Sequence, residues 1–405
     1  MGLLFKDDLL DEFGSWALSY IATGGPEFAE IQAIGAAVGD GDARAFNKAW
    51  IAAGDRRFSQ AEDAKKSGHL ATARDLYLRA SAFYVCSYHP LYGKPVDPLL
   101  LAAYDKQIAA LNAGFALFDP PVLPQSIPFE GASMAAYFIP AADAPRSKRP
   151  TIILTNGFDA TITDMYFASA VAASRRGYHC LLFDGPGQGG MLYRQNVPMR
   201  PDWEAPVRAV VDFALTLPFV DVKRVILSGS SLGGYLAPRA ASGERRLAAC
   251  IADPGQFAIG DSVRPLAVKL GASPESAANL GLIDDATLHK FQHVIDGNPG
   301  LHWKIIQRGL WVFGVETLRD FLRKSELFTM AGRAELIQCP TLVTAAESDS
   351  LASGAKTLFD AMQCPKTLIP FSAADSAETH CEMGNRSRLN QVVLDWLDET
   401  LRPPR

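Results

Sequence analysis

One serine stands between two glycines at a spacing that suits nucleophilic chemistry. Gly229, Ser231 and Gly233 form a G-x-S-x-G pattern where a short buried strand is followed by a helix. A serine on such a tight turn is held at strained backbone angles, and side chains two residues before or after it would collide with it. The neighbouring Ser230 lacks glycines at these two positions, and the segment lacks the Gly-Lys-Ser/Thr ending of a phosphate-binding loop. Ser231 is therefore predicted to be a nucleophile.

A serine hydroxyl needs a base that takes its proton, and one of the seven histidines fits this role. His380 lies in a polar loop after the last predicted strand and before the C-terminal helix. An acid should follow the preceding strand, where Glu347 and Asp349 compete. Asp349 lies farther past the strand end, where the loop can turn toward the imidazole, so it is favoured over Glu347. Its role would be to fix the imidazole tautomer and stabilise the imidazolium.

Two backbone amides are predicted to stabilise the negative charge on an attacked carbonyl. The first belongs to Leu232, directly after the serine, and the second to Phe158, after an early strand that ends at Asn156-Gly157. Asn-Gly is also a common turn former, so a simple turn is the alternative for this segment. Asp184 opens a Gly-Pro-Gly-Gln-Gly loop, which we interpret as a structural turn that shapes the floor near the serine.

Alternating strand and helix patterns surround these residues and predict how they are positioned. Such alternation implies a mostly parallel sheet flanked by helices on both faces, which is an α/β fold. Helical patterns replace the strands between about 256 and 335, and they predict a helical lid insertion. The predicted strands of the parallel sheet cover residues 151–155, 179–183, 224–228, 248–253, 340–344 and 366–369, and the first helix between them is predicted over 164–176.

The first part of the chain has helical periodicity and almost no strand signal. Residues 1–122 are predicted to form a helical cap domain, and residues 123–405 a catalytic domain that begins with an antiparallel hairpin at 126–140. The clearest helical pattern, 56–84, predicts two helices joined by a turn at Gly68 and looks like a tetratricopeptide unit. A solenoid needs three or more such units, so a cap or dimerisation element is the favoured interpretation.

Composition narrows the possible functions of the 405-residue chain. Hydrophobic residues make up 48% and charged residues 20%, which is the balance of a chain with a large core. A net charge of −5 argues against a dedicated nucleic-acid binder. Six scattered cysteines lack C-x-x-C spacing, so reduced thiols and no metal or other cofactor are predicted. Met1–Asp8 lacks a secretion signal and no apolar run reaches about 20 residues, so a cytoplasmic protein without membrane association is expected.

Together, the Asn-Gly turn, Phe-Asp-Gly-Pro-Gly-Gln-Gly, Gly-Ser-Ser-Leu-Gly and Thr-His-Cys-Glu resemble the α/β-hydrolase superfamily. The resemblance is closest to the branch with an N-terminal helical domain that includes 2,6-dihydroxypseudooxynicotine hydrolase and fungal polyketide-shortening hydrolases. It implies cleavage of a carbon-carbon bond next to a ketone, or of an ester, in an aromatic or polyketide-like small molecule. It also implies an active site between the two domains and a homodimer.

Other classes of protein remain as alternatives to this interpretation. Relatives within the superfamily act as general carboxylesterases or resemble prolyl-oligopeptidase-type peptidases. A peptidase of that kind would need a β-propeller or similar gate before the catalytic domain, and the segment there is helical. A non-catalytic binding module would normally have lost a triad member, whereas Ser231, His380 and Asp349 are all present. An enzyme is therefore expected.

Overall fold

An eight-stranded sheet forms the centre of the protein in the computed structural model, which describes residues 3–402. The strand order is β1-β2-β4-β3-β5-β6-β7-β8, with antiparallel pairing from β1 to β2 and from β2 to β4 and parallel pairing elsewhere. The predicted mostly parallel sheet is confirmed. The strands are β1 (Pro124–Phe129), β2 (Ala132–Ile139), β3 (Arg149–Thr155), β4 (His179–Phe183), β5 (Val220–Ser230), β6 (Leu247–Asp253), β7 (Thr341–Ala346) and β8 (Lys366–Phe371).

Burial of the parallel strands explains their sequences. All five residues of β4 are buried, as are the last five of β3 and of β6. Parallel strands covered on both faces are apolar along their whole length instead of alternating. Their carboxyl ends meet at one edge of the sheet, where the loops that carry the candidate site residues begin.

From residue 3, where the described structure begins, helices alone precede the first strand. The predicted pair of helices corresponds to α3 (Ala43–Lys66) and α4 (Leu70–Cys86), and Gly68 lies between them with a φ of +79°. The prediction of a domain division at residue 122 stays a prediction, and Met1 and Gly2, which bear on the expected lack of a signal, lie outside the described residues. These helices are α1 (Asp8–Ser15), a 3₁₀ helix (Trp16–Thr23), α2 (Phe28–Val38), α3 (Ala43–Lys66), α4 (Leu70–Cys86), a second 3₁₀ helix (His89–Leu91) and α5 (Pro98–Phe115).

The remaining helices pack around the sheet or fill the segment after β6. The predicted helix over 164–176 is interrupted by a π-helical turn, Tyr166–Ala170. Next to the sheet lie α6 (Ile162–Met165), α7 (Val171–Arg175), α8 (Gly189–Tyr193), α9 (Glu204–Thr216) and α10 (Gly233–Ala241). After β6 come α11 (Arg264–Lys269), α12 (Pro274–Ala278), α13 (Asp285–Asp296), α14 (Pro299–Leu301), a π-helix (His302–Gly309), α15 (Leu310–Phe313) and α16 (Leu318–Glu326), followed later by α17 (Ala355–Ala361) and α18 (Arg386–Thr400).

Buried contacts join the N-terminal helices to the rest of the chain. The rings of Phe13 and Trp303 meet edge to face with centroids 4.6 Å apart, and Trp303 Nε1 donates to the His89 carbonyl at 2.9 Å. Tyr20 donates its hydroxyl to Asp164 at 2.8 Å inside the core. Within residues 3–402, no helix has the length and apolar character needed to cross a membrane.

Candidate active site

Ser231 lies on the turn between β5 and α10. Its φ is +60°, a left-handed conformation that non-glycine residues seldom adopt. The turn also brings backbone segments so close that a Cβ on Gly229 would lie 2.0 Å from the Gly233 carbonyl oxygen. Glycine is therefore needed before the serine, and the strained turn lifts the Ser231 hydroxyl above the carboxyl end of the sheet.

Three side chains from separate loops meet at this hydroxyl. His380 Nε2 lies 2.9 Å from Ser231 Oγ, and His380 Nδ1 lies 2.6 Å from Asp349 Oδ2. The Asp349 carboxylate can only accept a hydrogen bond, so the imidazole proton lies on Nδ1 and Nε2 is free to accept the serine proton. The structure thus brings together the three residues that the sequence predicted as nucleophile, base and acid.

The two acids that competed in the sequence have different partners. Asp349 has a side chain only 3% exposed, and its second oxygen, Oδ1, accepts the Leu351 N–H at 2.9 Å. Glu347 lies on the exposed surface and accepts the Ala373 N–H at 2.8 Å instead of contacting the imidazole. The carboxylate that faces His380 is that of Asp349.

The loop that carries the histidine is held in a strained conformation. Cys381 and Glu382 have φ values of 53° and 49°, and both are buried. The Ser231 N–H donates to Cys381 Sγ, with the two atoms 3.1 Å apart. Burial raises the pKa of the Cys381 thiol, so the sulfur stays protonated and acts as a neutral acceptor beside the serine.

A buried network of charged side chains stabilises the turn that carries Ser231 and the loop that carries His380. Burial alone would raise the pKa of Asp253, but Arg386, which donates to Asp253 Oδ2 at 2.8 Å, lowers it. Burial and the neighbouring negative charge of Asp253 raise the pKa of Glu382 to about 11, so Glu382 is neutral beside that carboxylate. Arg386 also donates to the Cys381 carbonyl at 2.8 Å and to Ser230 Oγ at 3.2 Å. The network ties the residue before the serine to the residue after the histidine.

The two amides predicted to hold an oxyanion lie on either side of the serine. Gly157 packs so tightly on the turn that a Cβ there would lie 2.9 Å from both Ser231 Oγ and Leu232 N. Within residues 3–402, neither Leu232 N–H nor Phe158 N–H donates a hydrogen bond to the protein. Both donors are thus available to a substrate oxygen, and their assignment as the oxyanion hole stays a prediction.

Two residues near the site were not found from the sequence. The Trp16 ring lies with its centroid 6.0 Å from that of His380, so the N-terminal segment forms part of the wall beside the imidazole. Arg308, from the segment after β6, binds Asp159 Oδ2 at 2.6 Å and covers the Phe158 ring at 4.8 Å. No local pattern marks either residue, because each meets the site through a contact between distant segments.

Comparison with known proteins identifies the family. A family model described as "Alpha/beta hydrolase family" matches residues 152–382, which span the strands and loops of the site. The chain belongs to the α/β-hydrolase family, and the enzyme predicted from the sequence is confirmed at the level of a hydrolase.

Individual relatives cover almost the whole chain. Hydrolase acrC of Aspergillus aculeatus is 31% identical, over 94% of this chain and 94% of its own. The 20-hydroxy-prefusarin hydrolase FUS2 of Gibberella moniliformis is 29% identical, over 93% of this chain and 92% of its own. The solved structure of 2,6-dihydroxy-pseudo-oxynicotine hydrolase has the same fold, with a TM-score of 0.72 at 19% identity over 95% of both chains. The resemblance predicted from the motifs is confirmed.

Proposed function

We propose that the protein is a serine hydrolase that cleaves a carbon-carbon bond next to a ketone, or an ester, in an aromatic or polyketide-like small molecule. The observation that carries the proposal is the line of contacts from Ser231 Oγ to His380 Nε2 and from His380 Nδ1 to Asp349 Oδ2, at 2.9 and 2.6 Å. These distances are those of hydrogen bonds, so the serine proton has a direct path to the base.

The reaction begins when Ser231 Oγ attacks the substrate carbonyl carbon. His380 Nε2 takes the serine proton, Asp349 stabilises the resulting imidazolium, and the carbonyl oxygen becomes an oxyanion held by the Leu232 and Phe158 amides. The intermediate then expels the leaving group, which receives its proton from His380. Water, deprotonated by the same imidazole, attacks the acyl group on the serine, and the acid is released as the serine regains its proton.

The leaving group decides which bond the enzyme cleaves. An ester loses an alkoxide, whereas cleavage between carbons releases a carbanion that must be delocalised by a neighbouring carbonyl or an electron-rich ring. Two relatives support a substrate of this kind, since one is named for 20-hydroxy-prefusarin and the other for 2,6-dihydroxy-pseudo-oxynicotine. A substrate rich in ketones or bearing an aryl ketone fits this chemistry.

A hydrolysis screen tests the proposal. Purified protein is offered p-nitrophenyl esters, aryl diketones and aminoacyl anilides, and turnover of the diketones or esters is expected. Turnover of the anilides alone would point to a peptidase and contradict the proposal.

Two variants identify the nucleophile in the same assay. Ser231→Ala should lose turnover and labelling by a fluorophosphonate, because only the attacking oxygen is removed. Ser230→Ala is the matched control and should keep the label, since its hydroxyl binds Arg386 and Asp253 in the buried network. Substantial activity in Ser231→Ala would reject the assignment.

We also propose that residues 1–122 form a cap domain that helps to close the site, and that residues 123–405 form the catalytic domain with a lid near 256–335. The position of the Trp16 ring beside His380 supports this arrangement. A chain that starts at Ser126 should fail to fold or lose selectivity for bulky substrates, because it exposes apolar surface that the N-terminal helices cover. Unchanged rate and selectivity in the shortened chain would contradict the cap.

A homodimer and a cytoplasmic location complete the proposal. All six cysteines are free thiols, which suits a reducing compartment. Light scattering coupled to size-exclusion chromatography measures the mass of the particle, and a monomer would contradict the dimer. Fractionation of cells that produce the protein tests the location.

A further inference from the structure

Gln188 makes an unusual set of hydrogen bonds inside the Gly-Pro-Gly-Gln-Gly loop. Its side chain is buried, with the residue 2% exposed. Nε2 donates to the backbone carbonyls of Asn156 at 2.8 Å and Gly157 at 2.9 Å, and Oε1 accepts the Gly185 N–H at 2.9 Å. Two carbonyls can only accept and one amide can only donate, so the partners determine which way the carboxamide is turned.

One of the two carbonyls belongs to the same peptide group as the candidate oxyanion donor, and the other belongs to the peptide group before it. The Gly157 carbonyl and the Phe158 N–H are part of one planar trans peptide group, so they point in opposite directions. A carbonyl held by Gln188 therefore directs the Phe158 N–H away from Gln188. The Asn156 carbonyl is held in the same way, which leaves the short turn little freedom to rotate.

The opposite side of this turn faces the serine. Gly157 is in tight contact with Ser231, and Phe158 N–H has no acceptor among residues 3–402. A second contact reinforces the turn, because Asn156 Nδ2 donates to the buried Asp184 Oδ1 at 2.6 Å. The Gly-Pro-Gly-Gln-Gly loop, which the sequence indicated only as a structural turn, thus holds the Asn156–Phe158 turn through hydrogen bonds to its backbone and to the Asn156 side chain.

We propose that Gln188 is a positioning residue that sets the oxyanion hole by fixing the orientation of the Gly157–Phe158 peptide group. The inference rests on the proposed function, since it gives Gln188 a role in the same serine-dependent reaction. Gln188 contacts no reacting atom and acts only through the Phe158 amide. Loss of its two donors frees the peptide to rotate, and a rotated peptide would present a carbonyl oxygen where the reaction needs an N–H.

The size of the effect follows from the loss of one oxyanion donor, which typically lowers kcat by about 10²- to 10³-fold. Gln188→Glu keeps the shape of the side chain and the acceptor for Gly185 N–H, but it replaces the group that donates to both carbonyls. We expect kcat on p-nitrophenyl butyrate to fall about 100-fold, with KM changed less than about threefold, because ground-state binding does not use the oxyanion donors.

A transition-state analogue separates this role from a merely structural one. An aryl trifluoromethyl ketone forms a tetrahedral adduct with an active serine, whereas the corresponding trifluoromethyl alcohol cannot. The affinity of Gln188→Glu for the ketone should fall by about the same factor as kcat/KM, and its affinity for the alcohol should stay unchanged. Gln195→Glu is the matched control, since Gln195 also bridges backbone groups, at Ser133, but on the exposed surface. That variant should keep wild-type kcat and affinities.

The outcomes distinguish this inference from the proposed function. If Ser231→Ala is inactive while Gln188→Glu keeps wild-type kcat and ketone affinity, the role of Gln188 is overturned and the serine mechanism stands. If Ser231→Ala remains active, both proposals fail. If Gln188→Glu does not fold, Gln188→Met, which fills the same space without donors, takes its place, and equal losses of ketone and alcohol affinity in that folded variant would overturn the inference.

Discussion

The substitution Asp349→Asn tests whether Asp349 acts as the acid of the triad, because it replaces one carboxylate oxygen with an NH₂ group. In wild type, Asp349 Oδ2 accepts from His380 Nδ1 and Oδ1 accepts from the Leu351 N–H. An asparagine that keeps its oxygen toward Leu351 turns an NH₂ group toward Nδ1. The imidazole proton must then move to Nε2, where it blocks acceptance of the Ser231 proton.

The expected loss of activity follows from the energy of the second orientation of the asparagine side chain. Turning the asparagine so that its oxygen faces Nδ1 leaves the Leu351 N–H against an NH₂ group, and an unsatisfied buried donor costs about 1–3 kcal/mol. The active tautomer is therefore populated about 10- to 100-fold less, since 1.4 kcal/mol is a factor of about ten. The imidazolium also loses its negative partner in the transition state. We expect kcat to fall about 10³- to 10⁴-fold, in the range typical of this change in a catalytic triad.

Steady-state hydrolysis of a p-nitrophenyl ester measures this loss, with the rate of fluorophosphonate labelling as an independent readout. Glu347→Gln is the matched control, because the amide oxygen can still accept from Ala373 N–H, and its kcat should stay within about threefold of wild type. Retention of more than a tenth of the activity in Asp349→Asn, or a large loss in Glu347→Gln, would refute the reasoning and transfer the acid role to Glu347.

Three further predictions concern the surroundings of the triad. Gly157→Ala places a Cβ 2.9 Å from Ser231 Oγ, so we expect kcat to fall about 100-fold, whereas Gly114→Ala, equally crowded but inside α5, should change only the melting temperature. Trp16→Ala should raise KM about fivefold for p-nitrophenyl esters with an aromatic acyl group and leave p-nitrophenyl acetate nearly unchanged, since an aromatic contact contributes about 1 kcal/mol; an equal effect on both kinds of ester would contradict this. Burial raises the pKa of Asp184 from 3.8 to about 8, so the free energy of unfolding should fall as the pH rises between these two values. In Asp184→Asn, the free energy of unfolding measured by urea titration should depend less on pH, and an unchanged pH dependence would contradict the prediction.

The parts of the fold that depend on local pattern were predictable from the sequence. A period of 3.6 residues located most helices, short apolar runs located the buried parallel strands, and alternation located the antiparallel hairpin, because each pattern reports which faces of an element are buried. The turn at Ser231 was also predictable, since Gly229 must be a glycine wherever a strand enters a helix so sharply. The interruption of the predicted helix at Tyr166–Ala170 was not, because a π-helical turn has no distinct local signature.

The candidate site was predictable where chain order carries information. In an α/β-hydrolase the strands run in a set order, so the loops after successive strands indicated Ser231, Asp349 and His380 in turn. Position past the strand end favoured Asp349 over Glu347, but it did not fix which carboxylate faces the imidazole. That choice depends on the path of the loop, in which Asp349 accepts the Leu351 N–H and Glu347 accepts the Ala373 N–H.

The sequence by itself therefore determines the hydrolase class, because the glycine-serine turn is a local pattern and the late histidine stands at the expected place in the chain order. Only the tertiary structure decides which residues orient the groups of the candidate site. Gln188 reaches the Asn156 and Gly157 carbonyls, and Trp16 reaches the imidazole, across long stretches of chain. A hydrogen bond or ring contact of this kind depends on distances of a few ångströms between segments that are far apart in the sequence. Neither residue type nor spacing predicts such a contact, because it forms only when the segments pack together.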